Sequence, residues 1–244
     1  MAGSKFERKE VKFLVNAEQR KALTRNFPLR MAPDEYGKST ICNIYYDTPD
    51  FRLVRRSMEK PVYKEKLRLR SYGPATPEGP AYLELKKKYK GIVYKRRVGF
   101  TYTEAIDYMN GGPLPKDSQI GREIDWCRQY YGGLVPAAYI CYDREAFFCR
   151  EDPDLRITFD RNIRYRTTDI SLLSAPGGKQ LLAEGDSLME IKAAESIPLW
   201  IVELLSRYQV RQVSFSKYGS AYVDILKGGS LAGQTEETER RRAS

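Results

Sequence analysis

The 244-residue chain contains no histidine, and that single absence removes Ser-His-Asp and Cys-His catalysis, imidazole acid–base chemistry and His-ligated zinc. Neither a GxxxxGK[ST] loop nor a GxGxxG turn occurs, so a phosphate ligand has to be held by side chains and not by a glycine-rich backbone cradle. No stretch approaches the roughly 18 consecutive apolar residues that span a bilayer, and the first ten residues carry no apolar leader segment. The expectation is a soluble, cytoplasmic protein. Four cysteines, Cys42, Cys127, Cys141 and Cys149, form no CxxC pair and no zinc spacing, which favours buried free thiols over disulfides.

What the chain has in excess is positive charge: 42 Lys and Arg against 32 Asp and Glu, a formal net charge of +10. An anionic partner follows only if the cations are gathered in one place. The length is compatible with one domain, taken as residues 1–227, followed by a tail, 228–244, whose Gly, Ser, Thr, Glu and Arg content reads as disorder. Within the domain, strands are expected at 6–15, 39–46, 62–72, 81–89, 92–102, 137–150, 154–166 and 186–194. Helices are expected at 17–26, where Asn16 and Gln19 form a capping-box pair, and at 103–110, 118–131, 198–208 and 217–226. A turn at Asp47-Thr-Pro-Asp can also open a short helix through Arg56.

Residues two apart on a strand share a face. One face of the third strand therefore carries Lys64, Lys66, Arg68 and Arg70, with Leu67 and Leu69 opposite. The pattern recurs with Glu84, Lys86 and Lys88, with Lys95 and Arg97, with Arg156, Thr158 and Asp160, and with Glu190 and Lys192. One such strand is an ordinary solvated face. Several of them, with helices to cover the apolar sides, favour a barrel whose lumen is lined with cations over a solvated sheet, and carboxylates, water or a bound polyanion must compensate such a lumen. Glu10, Glu84, Asp160 and Glu190 are the oxygen ligands available to Mg²⁺ or Mn²⁺, each with the simpler role of neutralising a neighbouring Lys.

The segments Phe6-Glu-Arg-Lys-Glu-Val-Lys-Phe, Ile44-Tyr-Tyr-Asp-Thr-Pro, Lys66-Leu-Arg-Leu-Arg-Ser-Tyr-Gly, Leu83-Glu-Leu-Lys-Lys-Lys, Tyr142-Asp-Arg-Glu-Ala-Phe, Arg156-Ile-Thr-Phe-Asp, Met189-Glu-Ile-Lys and Phe215-Ser-Lys-Tyr follow one another in an order that resembles the VTC-type polyphosphate polymerase branch of the triphosphate tunnel metalloenzymes, over residues 5–226. That resemblance implies an α+β fold: an eight-stranded antiparallel barrel enclosing the tunnel, with helices packed on the outside. It implies catalytic contacts from Lys12, Arg68, Arg70, Arg144 and Arg156. Further phosphate contacts would come from Arg8, Lys66, Lys86, Lys95, Arg97, Tyr142, Lys192, Ser216 and Lys217. A divalent metal, Mn²⁺ or Mg²⁺, would sit on Glu190, with Glu10 and Glu84 as further candidates.

The implied reaction is transfer of the ATP γ-phosphoryl group to inorganic polyphosphate, in which a membrane protein is a conceivable partner. Tripolyphosphate hydrolysis and non-catalytic polyanion binding stay open as alternatives. Nucleic acid is disfavoured, because the basic residues alternate into one lumen and no RRM-like stacking signature accompanies them. Ser214 stands where the polymerase branch carries Lys, and Arg8-Lys-Glu10-Val-Lys12 lacks the Glu-x-Glu-x-Lys of the hydrolytic branch.

Overall fold

The computed structural model describes residues 9–90, 92–194 and 196–228. Arg8 and, apart from Gly228, the tail expected to be disordered lie outside those residues.

The sequence signals for local structure act where they are expected. Asn16 accepts a hydrogen bond from Gln19 N–H and the Gln19 side chain accepts from Asn16 N–H, opening α1 (Ala17–Arg25) after β1 (Lys9–Val15). β2 (Met31–Asp47) is longer than the apolar pattern indicates, because its first residues pair with the far end of β6 across a bulge between Pro33 and Lys38. After α2 (Arg52–Met58) come β3 (Tyr63–Tyr72), β4 (Pro80–Tyr89) and β5 (Ile92–Thr101), a three-stranded meander. A second capping box, Thr101 with Glu104, starts α3 (Tyr102–Met109). Ser118 caps α4 (Gln119–Tyr131), which stops at Gly132 in the left-handed region (φ +60°). β6 (Val135–Cys149), β7 (Arg156–Arg166), the two-residue β8 (Lys179–Gln180), β9 (Ser187–Ala193), α5 (Leu199–Arg207) and α6 (217–228) complete the chain.

All pairings are antiparallel, in the order β1-β9-β7-β6-β2-β3-β4-β5, with β8 on β7. The sheet curls until Lys86 on β4 stands 3.5 Å from Glu10 on β1, at the other end of that order. It does not close: β1 and β5 are its two free ends, and the segment before α6 leans on β1 instead, through a bridge of Phe13 with Gln212 and a 2.8 Å bond from Val213 N–H to Lys12 O. The eight long strands are those the alternation indicates; the tunnel wall is open along one seam.

The convex face carries the apolar half of the alternation. Leu67, Leu69, Leu83 and Leu85 are fully buried under α3 and α4, packed with Ala105, Tyr108, Ile124 and Cys127. Burial of such a side chain contributes about 1.5–3 kcal/mol. Phe13, Val15, Ile157, Phe159, Met189 and Ile191 are covered in the same way by α1 and α5. α6 is placed differently. Its Tyr218, Ala221 and Tyr222 pack on Ile41, Tyr45, Ile140, Tyr142 and Leu188, and Tyr45 belongs to the concave face because its hydroxyl meets Arg68. One helix thus fills part of the hollow. All four cysteines are buried free thiols. Among the described residues no helix is long and apolar enough to cross a membrane.

Candidate polyanion site on the concave face

The alternation of β3, β4 and β5 brings Arg68, Arg70, Lys95 and Arg97 around one carboxylate, Glu84, which is 1% exposed. Arg68 donates to Glu84 Oε2 from both Nε (2.9 Å) and Nη2 (2.6 Å), Arg97 donates to Oε1 at 2.7 Å, and Lys95 Nζ lies 3.0 Å from Oε1. Burial alone would raise the Glu84 pKa, but Arg68, Arg70 and Lys95 outweigh it and hold the carboxyl well below its ordinary range. Glu84, expected as a metal ligand, is instead the counter-charge that fixes four cations, with its oxygens already engaged.

A second carboxylate plays the same part on the opposite wall. Arg144 grips Asp160 with two bonds, Nε to Oδ1 at 2.7 Å and Nη2 to Oδ2 at 2.8 Å, and Lys217 reaches the same Oδ2 at 2.6 Å. Asp160 is buried, yet Lys217 and Arg144 keep its pKa far below the usual carboxylate value. The Tyr142 ring lies under Lys217 and Arg144, 4.4 Å and 5.3 Å away, and its hydroxyl accepts from Arg70 at 3.2 Å. Tyr142 therefore links the two cation groups.

Lys66 stands between them, donating to Ser216 Oγ at 2.8 Å. Ser216 also accepts from Gly219 N–H, so it caps α6 with the oxygen that receives Lys66. Burial, reinforced by Lys12, Lys64 and Lys86, brings the Lys66 pKa down to about 8. For Tyr45 burial works upward, but Arg68, Lys66 and Arg70 prevail and lower its pKa to about 8 as well.

The third acidic position is split. Glu190 lies 2.9 Å from Lys192 and 3.9 Å from Lys12, while Glu10 lies 3.4 Å from Lys12 and 3.5 Å from Lys86. These two carboxylates converge on Lys12 from adjacent strands, and their donor chemistry fits a hard divalent ion that draws its remaining ligands from phosphate and water. Among the described residues no group of three or more His, Cys, Asp or Glu is placed to hold a metal by itself.

Of the residues the sequence singles out, Arg68, Arg70, Lys95, Arg97, Tyr142, Arg144 and Lys217 share one connected network, Lys12, Lys86 and Lys192 gather around Glu10 and Glu190, and Lys66 pairs with Ser216. Arg156 stands apart: half-exposed, it pairs with Asp34 at 3.3 Å on the rim. Three residues escape sequence reading. Asn43 holds Arg70 Nε at 2.9 Å, Tyr45 holds Arg68 Nη1 at 3.1 Å, and buried Asp47 accepts from Leu53 N–H, Val54 N–H and the Tyr218 hydroxyl. The period-two pattern of β2 places Asn43 and Tyr45 on one face, and extending the face argument to that strand would have found them.

A family model described as the VTC domain matches residues 7–225. In solved structures the chain is similar to a candidate adenylate cyclase of Bacillus halodurans, with 17% identity, 86% of this chain and 95% of that one covered, and a TM-score of 0.55. It also aligns with a candidate adenylate cyclase of Vibrio parahaemolyticus (12% identity, 88% and 97% covered, TM-score 0.47) and with a protein of Pyrococcus horikoshii (13%, 89% and 98%, 0.46). At 17% identity the likeness to the Bacillus halodurans protein is one of fold. No curated protein matches the chain significantly in sequence. The curled antiparallel sheet, its cation-lined hollow and the match over nearly the whole chain lead to one conclusion: the chain belongs to the VTC domain family, on the triphosphate-tunnel fold.

Proposed function

We propose that the protein is a metal-dependent polyphosphate polymerase, which transfers the γ-phosphoryl group of ATP to a growing inorganic polyphosphate chain. The observation that carries this reading is the gathering of cations on the concave face, with Lys95, Arg97, Arg68 and Arg70 around Glu84 on one wall, Arg144 and Lys217 around Asp160 on the other, and Lys66 on Ser216. Its charge exceeds what the buried carboxylates neutralise, and a phosphate chain supplies the balance.

In the reaction a terminal oxygen of the acceptor chain attacks the γ-phosphorus while the bond to the β–γ bridging oxygen breaks, and ADP leaves. In this reading Arg68, Arg70, Arg144 and Lys217 contact non-bridging oxygens and stabilise the charge that spreads over them. Lys12, which lies between Glu10 and Glu190, orients the neighbouring phosphate in this reading. Mn²⁺ or Mg²⁺, held by Glu190 with Glu10, would neutralise charge on the leaving diphosphate.

Transfer is favoured over tripolyphosphate hydrolysis by the state of the buried carboxylates. Glu84 and Asp160 are each engaged at both oxygens by several cations, which leaves neither free to orient a water, and Glu10, the other carboxylate that could do so, is paired with Lys12 and Lys86. A phosphate acceptor is ionised already and needs no base. Incubation of the protein with ATP and Mn²⁺ tests the proposal: ADP and long polyphosphate are expected. Orthophosphate alone would indicate the hydrolase, and retained binding without turnover a polyanion-binding module.

A further inference from the structure

At the end of β3 the concave face finishes in an aromatic ring that the phosphate chemistry leaves unused. Tyr72 is 54% exposed, the next concave position after Arg68 and Arg70. Its hydroxyl accepts from Arg97 Nη2 at 2.6 Å, and its ring meets Tyr82 edge to face at 5.9 Å. The Arg97 guanidinium lies 4.3 Å over Tyr82 and 5.5 Å from Tyr72. Gly99 faces Tyr82 across the strand pair, where a Cβ would come within 3.3 Å of the ring, so the Tyr82 ring sits down against bare backbone. Tyr72 further lines a cleft of about 110 Å³ with Pro74, Ala75, Thr76 and Pro80.

An exposed tyrosine on a loose surface would be unremarked. This one is held at its hydroxyl and along one edge, with much of the ring left to solvent, and it is tied through Arg97 to the Glu84 cation group. Arg97 thus touches both the site proposed for triphosphate and the aromatic rim. Every nucleobase has a π-face, and a fixed aromatic ring next to cations is the arrangement that binds one by stacking. We infer that Tyr72, set by Arg97 and Tyr82, is a stacking ledge for the nucleobase of the donor nucleotide, whose triphosphate extends inward past Arg97. The inference rests on the polymerase reading for its ligand and adds to it the residue that tells a nucleoside triphosphate from inorganic tripolyphosphate.

The test compares dissociation constants of ATP and inorganic tripolyphosphate by calorimetry, for the unaltered protein, Tyr72→Ala and Tyr72→Phe. Tyr72→Ala is expected to weaken ATP about tenfold while changing tripolyphosphate less than about threefold. Tyr72→Phe, which keeps the ring and frees Arg97, is expected to shift both ligands by the same small factor. Equal weakening of both ligands by Tyr72→Ala, or an unchanged ATP affinity, would overturn the ledge while leaving the phosphate site standing. If the unaltered protein bound neither ligand, the polymerase reading would fall and the ledge with it.

Discussion

Lys217 Nζ lies 2.6 Å from Asp160 Oδ2, so the first residue of α6 is fastened to the wall of the sheet by a buried ion pair that also receives Arg144. The helix inside the hollow and the cations Arg144 and Lys217 are therefore positioned by one carboxylate. Asp160→Asn is expected to lower the unfolding free energy by about 3–5 kcal/mol, because both cations stay buried without their counter-charge. Denaturant unfolding at pH 7 measures it. The depressed Asp160 pKa also fixes the sign of the pH dependence: the stabilisation is present above the unfolded-state carboxylate pKa and is lost as pH falls towards the folded value. A loss below about 1 kcal/mol would show that the pair does not anchor α6.

Glu84 invites a different experiment. In Glu84→Gln the groups Arg68, Lys95 and Arg97 face one another with one negative charge fewer. The variant is expected to melt earlier than the unaltered protein and to regain more Tm on addition of tripolyphosphate, since the polyanion replaces the lost charge. Thermal unfolding with and without tripolyphosphate checks this. Equal ligand-induced shifts in the two proteins would mean that the ligand does not reach this group.

Burial brings the Lys66 pKa down to about 8 against the opposing pull of Tyr45, and for Tyr45 burial is outweighed by Arg68 and Lys66, which bring its pKa down to about 8. A bound phosphate chain favours protonated Lys66 and neutral Tyr45, so it raises both pKa values. Affinity for tripolyphosphate should then be flat below about pH 8 and decline above it, as the free protein loses positive charge that the complex retains. In Lys66→Arg, whose guanidinium keeps its charge, the decline should shrink. Binding measured from pH 7 to 9.5 decides the matter, and identical profiles for the two proteins would contradict the assignment.

Glu190→Gln should separate metal from phosphate. Tripolyphosphate binding without metal is expected to hold or strengthen, since a negative charge beside Lys12 and Lys192 is gone. The gain in affinity produced by Mn²⁺ should fall by about tenfold. A Mn²⁺ titration of tripolyphosphate binding gives both quantities. An unchanged Mn²⁺ response would contradict the proposed role of Glu190 as a metal ligand.

The alternation of Leu67, Arg68, Leu69 and Arg70 is legible because a strand has only two faces, and the convex burial of Leu67 and Leu69 follows from it. The cap of α1 is legible because Asn16 and Gln19 are three residues apart, whereas the Thr101–Glu104 box of α3 has the same spacing but is hidden at the end of an expected strand. What the chain does not reveal locally is which carboxylate each cation meets. Arg144 and Lys217 find Asp160 from 16 and 57 positions away, and Tyr218 finds Asp47 across 171. The role of Asp47 is hidden for that reason: as a turn residue it looks complete, whereas in the fold it joins the start of α2 to α6. The apolar face of α6 gives no sign of direction either, and only the cluster of Tyr45, Ile140, Tyr142 and Tyr218 puts it inside the hollow.

A crystal structure of the protein with inorganic tripolyphosphate tests the central claim most directly. The account predicts the anion on the concave face, its oxygens within hydrogen-bonding distance of Arg68, Arg70 and Lys217. An anion bound on the convex face, with those three side chains unchanged in their contacts, would contradict it.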